Sequence, residues 1–104
     1  MASSTTAPQT EPVLATVRIV ITGRVQGVGY RAWLQEEAME LQLSGWVRNR
    51  TDGSVEALVH GDKKKVDDLI RACHNGPALS RVDKVTVEPA KYDGQSGFRI
   101  EKTL

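Results

Sequence analysis

The segment from Gly23 to Arg31 carries the residue types best suited to binding an anion. Its sequence is Gly-Arg-Val-Gln-Gly-Val-Gly-Tyr-Arg, and it lies between an apolar, β-branched run and a run with helical periodicity. Closely spaced glycines let a backbone turn so that its N–H groups converge on one point. A helix that starts just after such a turn adds its own unpaired N–H groups and the positive end of its dipole. These residues therefore predict a loop that cradles an anion such as phosphate or sulfate.

The start of the predicted helix supports this interpretation. Gly29 and Tyr30 supply no Ser, Thr, Asp or Asn cap, and Arg31 places a cation where the helix dipole disfavours one. A bound phosphate would satisfy the open N–H groups and would also pair with the arginine. An anion site is thus favoured over a plain flexible connector.

Other kinds of phosphate loop fit these residues poorly. A Walker loop needs a lysine followed by Ser or Thr, and neither is present here. Residues 27–32 match the dinucleotide pattern Gly-x-Gly-x-x-Gly/Ala, but the acidic residue at the expected distance, Asp52, falls in a predicted hairpin turn. A cysteine phosphatase needs its nucleophile in the loop, whereas Cys73 lies on the apolar stripe of a predicted helix.

Asn49 is the second polar residue of interest. It lies near the end of a predicted strand, a position at which asparagine is disfavoured. Either it begins the following turn, or its amide is needed at the end of the sheet. Trp46, in the same strand, is predicted to be a core aromatic residue.

The hydrophobic pattern predicts the order strand, helix, strand, strand, helix, strand, followed by a short extra strand. The first helix follows the glycine loop, Asp62 caps the second, and Asp52-Gly53 supplies the positive-φ pair of a tight hairpin. Each helix has one apolar stripe, so both should cover one face of a single antiparallel sheet. This is an α+β fold, the ferredoxin-like α/β sandwich. The predicted strands are Val13 to Thr22, Ser44 to Arg50, Ser54 to His60, Val82 to Glu88 and Gly97 to Lys102.

Length and composition limit the class of protein. The chain has 104 residues, which suits one domain, and its 14 basic residues nearly balance 13 acidic ones, so no basic field for nucleic acid is expected. One cysteine and two isolated histidines predict no disulfide, no metal site and a reducing cytoplasm. No apolar run is long enough for a membrane helix, and nothing requires more than a monomer.

The first 12 residues are small and polar with two prolines, which predicts a disordered N-terminal tail before a folded domain at 13–104. A transit peptide is the alternative. Such peptides are rich in arginine, however, and the first arginine of this chain is Arg18.

Taken together, these motifs resemble the acylphosphatase family. The likeness covers about residues 13–104, including Gly76-Pro77, Ser80-Arg81-Val82 and Phe98-Arg99-Ile100. The two segments that carry it most specifically are Gly23-Arg24-Val25-Gln26-Gly27-Val28-Gly29-Tyr30-Arg31 and Gly45-Trp46-Val47-Arg48-Asn49, with Asp52-Gly53-Ser54-Val55-Glu56 after them.

The resemblance implies a ferredoxin-like sandwich and an enzyme that hydrolyses small acyl phosphates without metal, cofactor or covalent intermediate. It implies that Arg31 binds the phosphoryl group, that Asn49 positions the attacking water, and that the loop forms the phosphate cradle. The cradle residues are Arg24, Val25, Gln26, Gly27, Val28, Gly29 and Tyr30, together with Arg31. Two departures from the family pattern are Tyr30, where phenylalanine is usual, and Leu41-Gln42-Leu43, where Leu-Gly-Leu is common.

Three other functions remain as alternatives at this point. The first is a non-catalytic anion-binding module on the same scaffold, which would not need Asn49. The second is one domain of a larger protein that handles carbamoyl phosphate. The third is an RNA-binding ferredoxin-like domain, which would need exposed aromatic residues on its central strands.

Overall fold

The computed structural model describes residues 12–104, and the predicted disordered tail lies outside the described residues except for Pro12. Five strands and two helices follow in the predicted order, so the fold class is confirmed. The elements are β1 (Leu14–Arg24), α1 (Tyr30–Glu40), β2 (Ser44–Asn49), β3 (Val55–Asp62), α2 (Lys63–Cys73), β4 (Arg81–Pro89) and β5 (Phe98–Ile100). No helix within residues 12–104 is long and apolar enough to cross a membrane.

The strands form one sheet in the order β4-β1-β3-β2-β5. Strand β1 pairs antiparallel with both β3 and β4, and β2 pairs antiparallel with β3. The short β5, however, pairs parallel with β2, so the sheet is mixed rather than wholly antiparallel as predicted. The reason is topological. Strand β4 runs antiparallel to β1 and therefore also to β2, and the chain after β4 crosses to the opposite edge of the sheet. When β5 turns back from that crossing, it runs in the direction of β2.

Both helices cover the same face of the sheet, as predicted. Alternate residues of the strands are fully buried on that face, as are Leu34 of α1 and Leu69 of α2. This alternation follows from the two-residue period of a strand. The buried strand residues are Ile19, Ile21, Val47, Val55, Ala57 and Val59. They form the rigid platform from which the loop after β1 and the end of β2 project.

The opposite face of the sheet carries polar side chains, and Trp46 lies there rather than in the core. Its half-buried ring lies under the guanidinium of Arg48, 4.6 Å from the ring centroid. Arg48 and Arg18 both donate to Glu56. Burial alone would raise the pKa of Glu56, but these hydrogen bonds outweigh it and lower that pKa below its ordinary value. The prediction for Trp46 was wrong because alternation puts it beside Arg48, on the face away from the helices.

The turn between β2 and β3 also differs from the predicted tight hairpin. Gly53 has a φ of 96°, but Asp52 is not among the described residues with positive φ. Instead, the Asp52 carboxylate accepts hydrogen bonds from the backbone N–H and hydroxyl of Ser54, at 2.9 and 2.6 Å. An Asp side chain that bonds two residues ahead stabilises a turn without a left-handed backbone.

Helix α1 ends in a Schellman motif with Gln42 at the left-handed position. The N–H of Gln42 donates to Met39 O at 3.0 Å, and the N–H of Leu43 donates to Ala38 O at 2.9 Å. Gln42 has a φ of 59°, a conformation in which glycine carries no steric penalty. The departure from Leu-Gly-Leu therefore leaves the turn intact, but it places a residue with a Cβ at a left-handed backbone position, where that Cβ causes strain.

We expect Gln42→Gly to raise the free energy of unfolding by about 0.5–1 kcal/mol, because relief of the left-handed strain exceeds the added flexibility of the unfolded chain. Urea unfolding measures this change. The matched control is Gln42→Ala, which also removes the hydrogen bond from Lys65 Nζ but keeps a Cβ at the strained position. If Gln42→Ala stabilises the protein as much as Gln42→Gly, backbone strain is not the cause.

The two helices are joined by a buried hydrogen bond from Tyr30 to the end of α2. The Tyr30 hydroxyl donates to Cys73 O at 2.6 Å. Cys73 is the last residue of α2, where carbonyls have no intrahelical donor. Burial raises the pKa of the Tyr30 hydroxyl, so it stays a neutral donor. The hydroxyl of Tyr30, which the usual phenylalanine lacks, therefore supplies a hydrogen-bond donor to a backbone carbonyl at the end of α2.

Tyr30→Phe should accordingly lower the free energy of unfolding by about 1–2 kcal/mol, since a buried carbonyl loses its donor. Tyr92→Phe is the matched control, because the Tyr92 hydroxyl makes an exposed bond of 2.7 Å to Gln95 O. The control should change stability by less than about 0.5 kcal/mol. Equal effects in the two variants would refute the role of the buried bond.

Candidate active site

A cavity of about 220 Å³ opens where the loop after β1, the start of α1 and the end of β2 meet. Its lining is part polar and part apolar, and it combines residues that are far apart in the chain. The lining residues are Val25, Gly27, Gly29, Tyr30, Arg31, Ala32, Asn49 and Ile100. The glycine loop and Asn49, which local sequence patterns suggest only separately, therefore share one cavity.

Two glycines give the loop its shape. Gly27 and Gly29 have φ values of 74° and 80°, the left-handed region that other residues rarely adopt. A Cβ added at either position would meet no atom within 4 Å, so backbone conformation rather than crowding calls for glycine. Such turns direct successive N–H groups toward one side and form anion-binding concavities.

The N-terminus of α1 opens onto the same cavity. Gly29 is the N-cap residue, makes no side-chain cap hydrogen bond, and the first turn contains no acidic residue. The first bond into the helix runs from Trp33 N to Gly29 O at 3.0 Å. The N–H groups of Tyr30, Arg31 and Ala32 therefore have no intrahelical acceptor and can serve an anion.

Arg31 adds a full positive charge at this helix start. Its side chain is half-buried, and within residues 12–104 it forms no ion pair with a carboxylate. By contrast, Arg18, Arg48 and Arg99 are each bonded to acidic side chains. A planar guanidinium without a carboxylate partner is well suited to bind two phosphoryl oxygens at once.

Asn49 lines the cavity, and its side-chain amide oxygen is buried. Among the described residues, its Oδ1 atom is one of two buried side-chain polar atoms that have no hydrogen-bond partner. A buried acceptor without a donor is costly for stability, which points to a functional use. Asn49 belongs to β2 and does not begin the turn, which removes the first of the two alternatives that the sequence left open.

The backbone of Asn49 is fixed on both sides. It pairs with Val55 of β3, and its carbonyl accepts from Leu104 N at 3.1 Å. The carbonyl of Leu104 in turn accepts from Thr51 N at 2.9 Å. Residues after β5 thus continue to bond to β2 and to the residues that follow it. Strand β5 spans only Phe98–Ile100 and is shorter than the predicted 97–102. The amide of Asn49 is therefore presented from rigid backbone.

The structure divides the predicted cradle residues into two groups. Those in the cavity lining are Val25, Gly27, Gly29, Tyr30 and Arg31; those outside it are Arg24, Gln26 and Val28. Sequence reasoning missed Ala32 and Ile100 as lining residues. Ile100 reaches the site only because β5 pairs with β2, a contact for which the local sequence has no signal. Ala32 simply follows the arginine on the first turn of α1.

Alternative chemistry elsewhere in the domain finds little support. Burial raises the pKa of the Cys73 thiol to about 12, which keeps it protonated and unreactive at neutral pH. In residues 12–104, no group of three or more His, Cys, Asp or Glu side chains is arranged to hold a metal ion.

Comparison with known proteins agrees with this arrangement. The family model for acylphosphatases matches residues 17–100, which includes the glycine loop, Arg31 and Asn49. The chain belongs to the acylphosphatase family. The resemblance is thereby confirmed, and with it the prediction of an enzyme of the acylphosphatase type.

Individual relatives show how far the similarity extends. The chain is 50% identical to an acylphosphatase of Alcanivorax borkumensis over 80 residues, which cover 77% of this chain and 87% of that protein. It is 46% identical to an acylphosphatase of Rhodospirillum rubrum over 91 residues, covering 88% of this chain and the whole of the other. The crystal structure of acylphosphatase from Bacillus subtilis superposes with a TM-score of 0.81 at 39% identity, covering 86% of this chain and 99% of that one.

Proposed function

We propose that this protein hydrolyses small acyl phosphates to a carboxylate and inorganic phosphate, by direct attack of water on phosphorus. The observation that carries the proposal is the meeting of three features in one cavity. These are the Gly27–Gly29 turn at the start of α1, the guanidinium of Arg31, which pairs with no carboxylate in residues 12–104, and the buried amide oxygen of Asn49. Each supplies one requirement of an in-line phosphoryl transfer.

The first requirement is to hold the phosphoryl group. In this proposal, the N–H groups of the loop and the first turn of α1 donate to the phosphoryl oxygens, and Arg31 binds two of them with its planar fork. The same donors stabilise the charge that spreads over these oxygens in the transition state. The predicted anion in the loop, phosphate or sulfate, would occupy the same place.

The second requirement is an oriented nucleophile. Asn49 cannot act as a base, because its amide does not take protons at neutral pH, but Oδ1 can accept a hydrogen bond from water. The water oxygen then bonds to phosphorus while the bond from phosphorus to the bridging oxygen breaks. The carboxylate leaves with that electron pair, and a phosphoryl oxygen of the substrate takes the proton of the water.

The chemistry suits a site with so few groups. An acyl phosphate already carries a good leaving group, a carboxylate of low basicity, so no strong general acid is needed. Holding the reactants in line and stabilising charge supply most of the rate enhancement. Neither a metal ion nor a covalent enzyme intermediate has a role in this mechanism.

The test is hydrolysis of benzoyl phosphate by the purified chain with a chelator present, followed by ultraviolet absorbance. We expect fast turnover that the chelator does not change, and competitive inhibition by inorganic phosphate. Phosphate binding without turnover would instead support the anion-binding module. The cytoplasmic location and the monomeric state stay predictions.

A further inference from the structure

Gln26 lies in the phosphate loop, but its side chain bonds to the backbone of another turn. Its neighbours Val25 and Gly27 line the cavity, whereas Gln26 itself does not. The Gln26 Nε2 atom donates to Arg50 O and to Ser54 O, each at 2.8 Å. Since a side-chain amide has two N–H donors, both are used in these bonds.

The two acceptors close the turn that directly follows Asn49. Arg50 N donates to Ser54 O at 2.9 Å, and Gly53 N donates to Arg50 O at 3.1 Å. Arg50 is the next residue after Asn49, and Ser54 comes just before β3. Gln26 is therefore bonded to both ends of the turn that holds the end of β2.

The sheet order explains why such a link matters. The loop follows β1 and Asn49 ends β2, but β3 lies between these two strands. No ladder hydrogen bond joins β1 to β2, and across two strand spacings they are about 10 Å apart. Gln26 bridges this gap with two short bonds at the level of the cavity.

We propose that Gln26 is a positioning residue that sets the separation between the phosphate loop and Asn49. This inference rests on the proposed function, because it concerns the alignment of the water with the phosphoryl group. In-line attack requires reacting atoms about 3–3.5 Å apart, and a displacement of about 1 Å can cost about 100-fold in rate. Gln26 contributes to turnover through Asn49 and not through its own contact with substrate.

Gln26→Met is the most informative variant. Methionine keeps the length and most of the packing but removes both donors, while Arg50 O and Ser54 O each retain a backbone partner. We expect kcat for benzoyl phosphate to fall about 10- to 100-fold. The dissociation constant of inorganic phosphate should change less than about threefold, because the N–H groups of the cradle and Arg31 remain.

A double-mutant cycle with Asn49→Ala separates positioning from general destabilisation. If Gln26 acts through Asn49, then Gln26→Met should change kcat by less than about threefold in the Asn49→Ala background. The matched control is Gln35→Met, which removes another side-chain bond to backbone, from Gln35 Nε2 to Phe98 O at 3.0 Å. The control should leave kcat within about twofold of wild type.

The outcomes are distinguishable. A wild-type chain that does not hydrolyse benzoyl phosphate removes the proposed function itself. An active wild type whose Gln26→Met variant loses phosphate affinity as much as kcat, or loses rate equally with and without Asn49, overturns the positioning role alone. If Gln26→Met does not fold, Gln26→Asn replaces it in the cycle. Asparagine keeps the amide but is shorter by one bond length, so its amide no longer reaches both carbonyls. The same fall in kcat is expected, and it should again be less than about threefold in the Asn49→Ala background.

Discussion

Asn49→Ala should lower kcat for benzoyl phosphate by about 100-fold or more, the size of effect seen when one preorganised group in an active site is removed. In the proposed mechanism, the amide oxygen of Asn49 contacts the attacking water and not the substrate. The affinity for inorganic phosphate should therefore stay within about threefold of wild type. Steady-state kinetics with phosphate as a competitive inhibitor measure both quantities.

Two further variants make the Asn49 result specific. Asn75→Ala changes an exposed asparagine after α2 and should leave kcat within about twofold. Asn49→Asp keeps an acceptor oxygen but puts a negative charge beside the phosphate, so both kcat and phosphate affinity should fall. Wild-type turnover in Asn49→Ala would remove this residue from the mechanism.

Arg31→Ala should lower kcat at least as much as Asn49→Ala does, and unlike Asn49→Ala it should also weaken phosphate binding. We expect kcat to fall by about 100-fold or more, and phosphate affinity to fall by about tenfold or more, because in the proposed mechanism Arg31 binds the phosphoryl oxygens in both ground and transition states. The same kinetic measurements, made side by side, show the difference. Loss of rate without loss of affinity would contradict direct binding by Arg31.

Charge alone should not replace the guanidinium. Arg31→Lys keeps the positive charge but loses the planar pair of donors, so we expect phosphate binding to recover more than kcat does. Arg71→Ala serves as the control, because Arg71 is exposed on α2 and pairs only with Asp68 among the described residues. That variant should match wild type in both constants.

Most of the fold could be predicted from the sequence because its signals are local. The two-residue period of the strands, the Asp62 cap and the apolar stripes of the helices each depend on neighbouring residues. The Asp62 cap is confirmed by a bond from Lys64 N to its carboxylate at 2.9 Å. The direction of β5 was not predictable, since nothing in residues 90–97 says which edge of the sheet the chain will join.

The site was predictable where one continuous segment forms it and less so where distant segments meet. The loop, the uncapped helix start and Arg31 all lie within nine residues, so their chemistry could be inferred together. The sequence left the role of Asn49 open until the family resemblance was considered, because its burial and its missing partner depend on β3, the loop and residues 98–104. Ile100 and the bridging side chain of Gln26 were missed for the same reason, since both act across chain separations that no local pattern records.

Attack on phosphorus rather than on the carbonyl carbon is the central claim, and an isotope experiment tests it most directly. Benzoyl phosphate is hydrolysed by the wild-type chain in water enriched in oxygen-18, with a chelator present, and both products are analysed by mass spectrometry. The mechanism predicts rapid turnover with the label in inorganic phosphate and none in benzoate. Label in benzoate would mean that water attacks the carbonyl carbon, and it would contradict the roles assigned to Arg31 and Asn49.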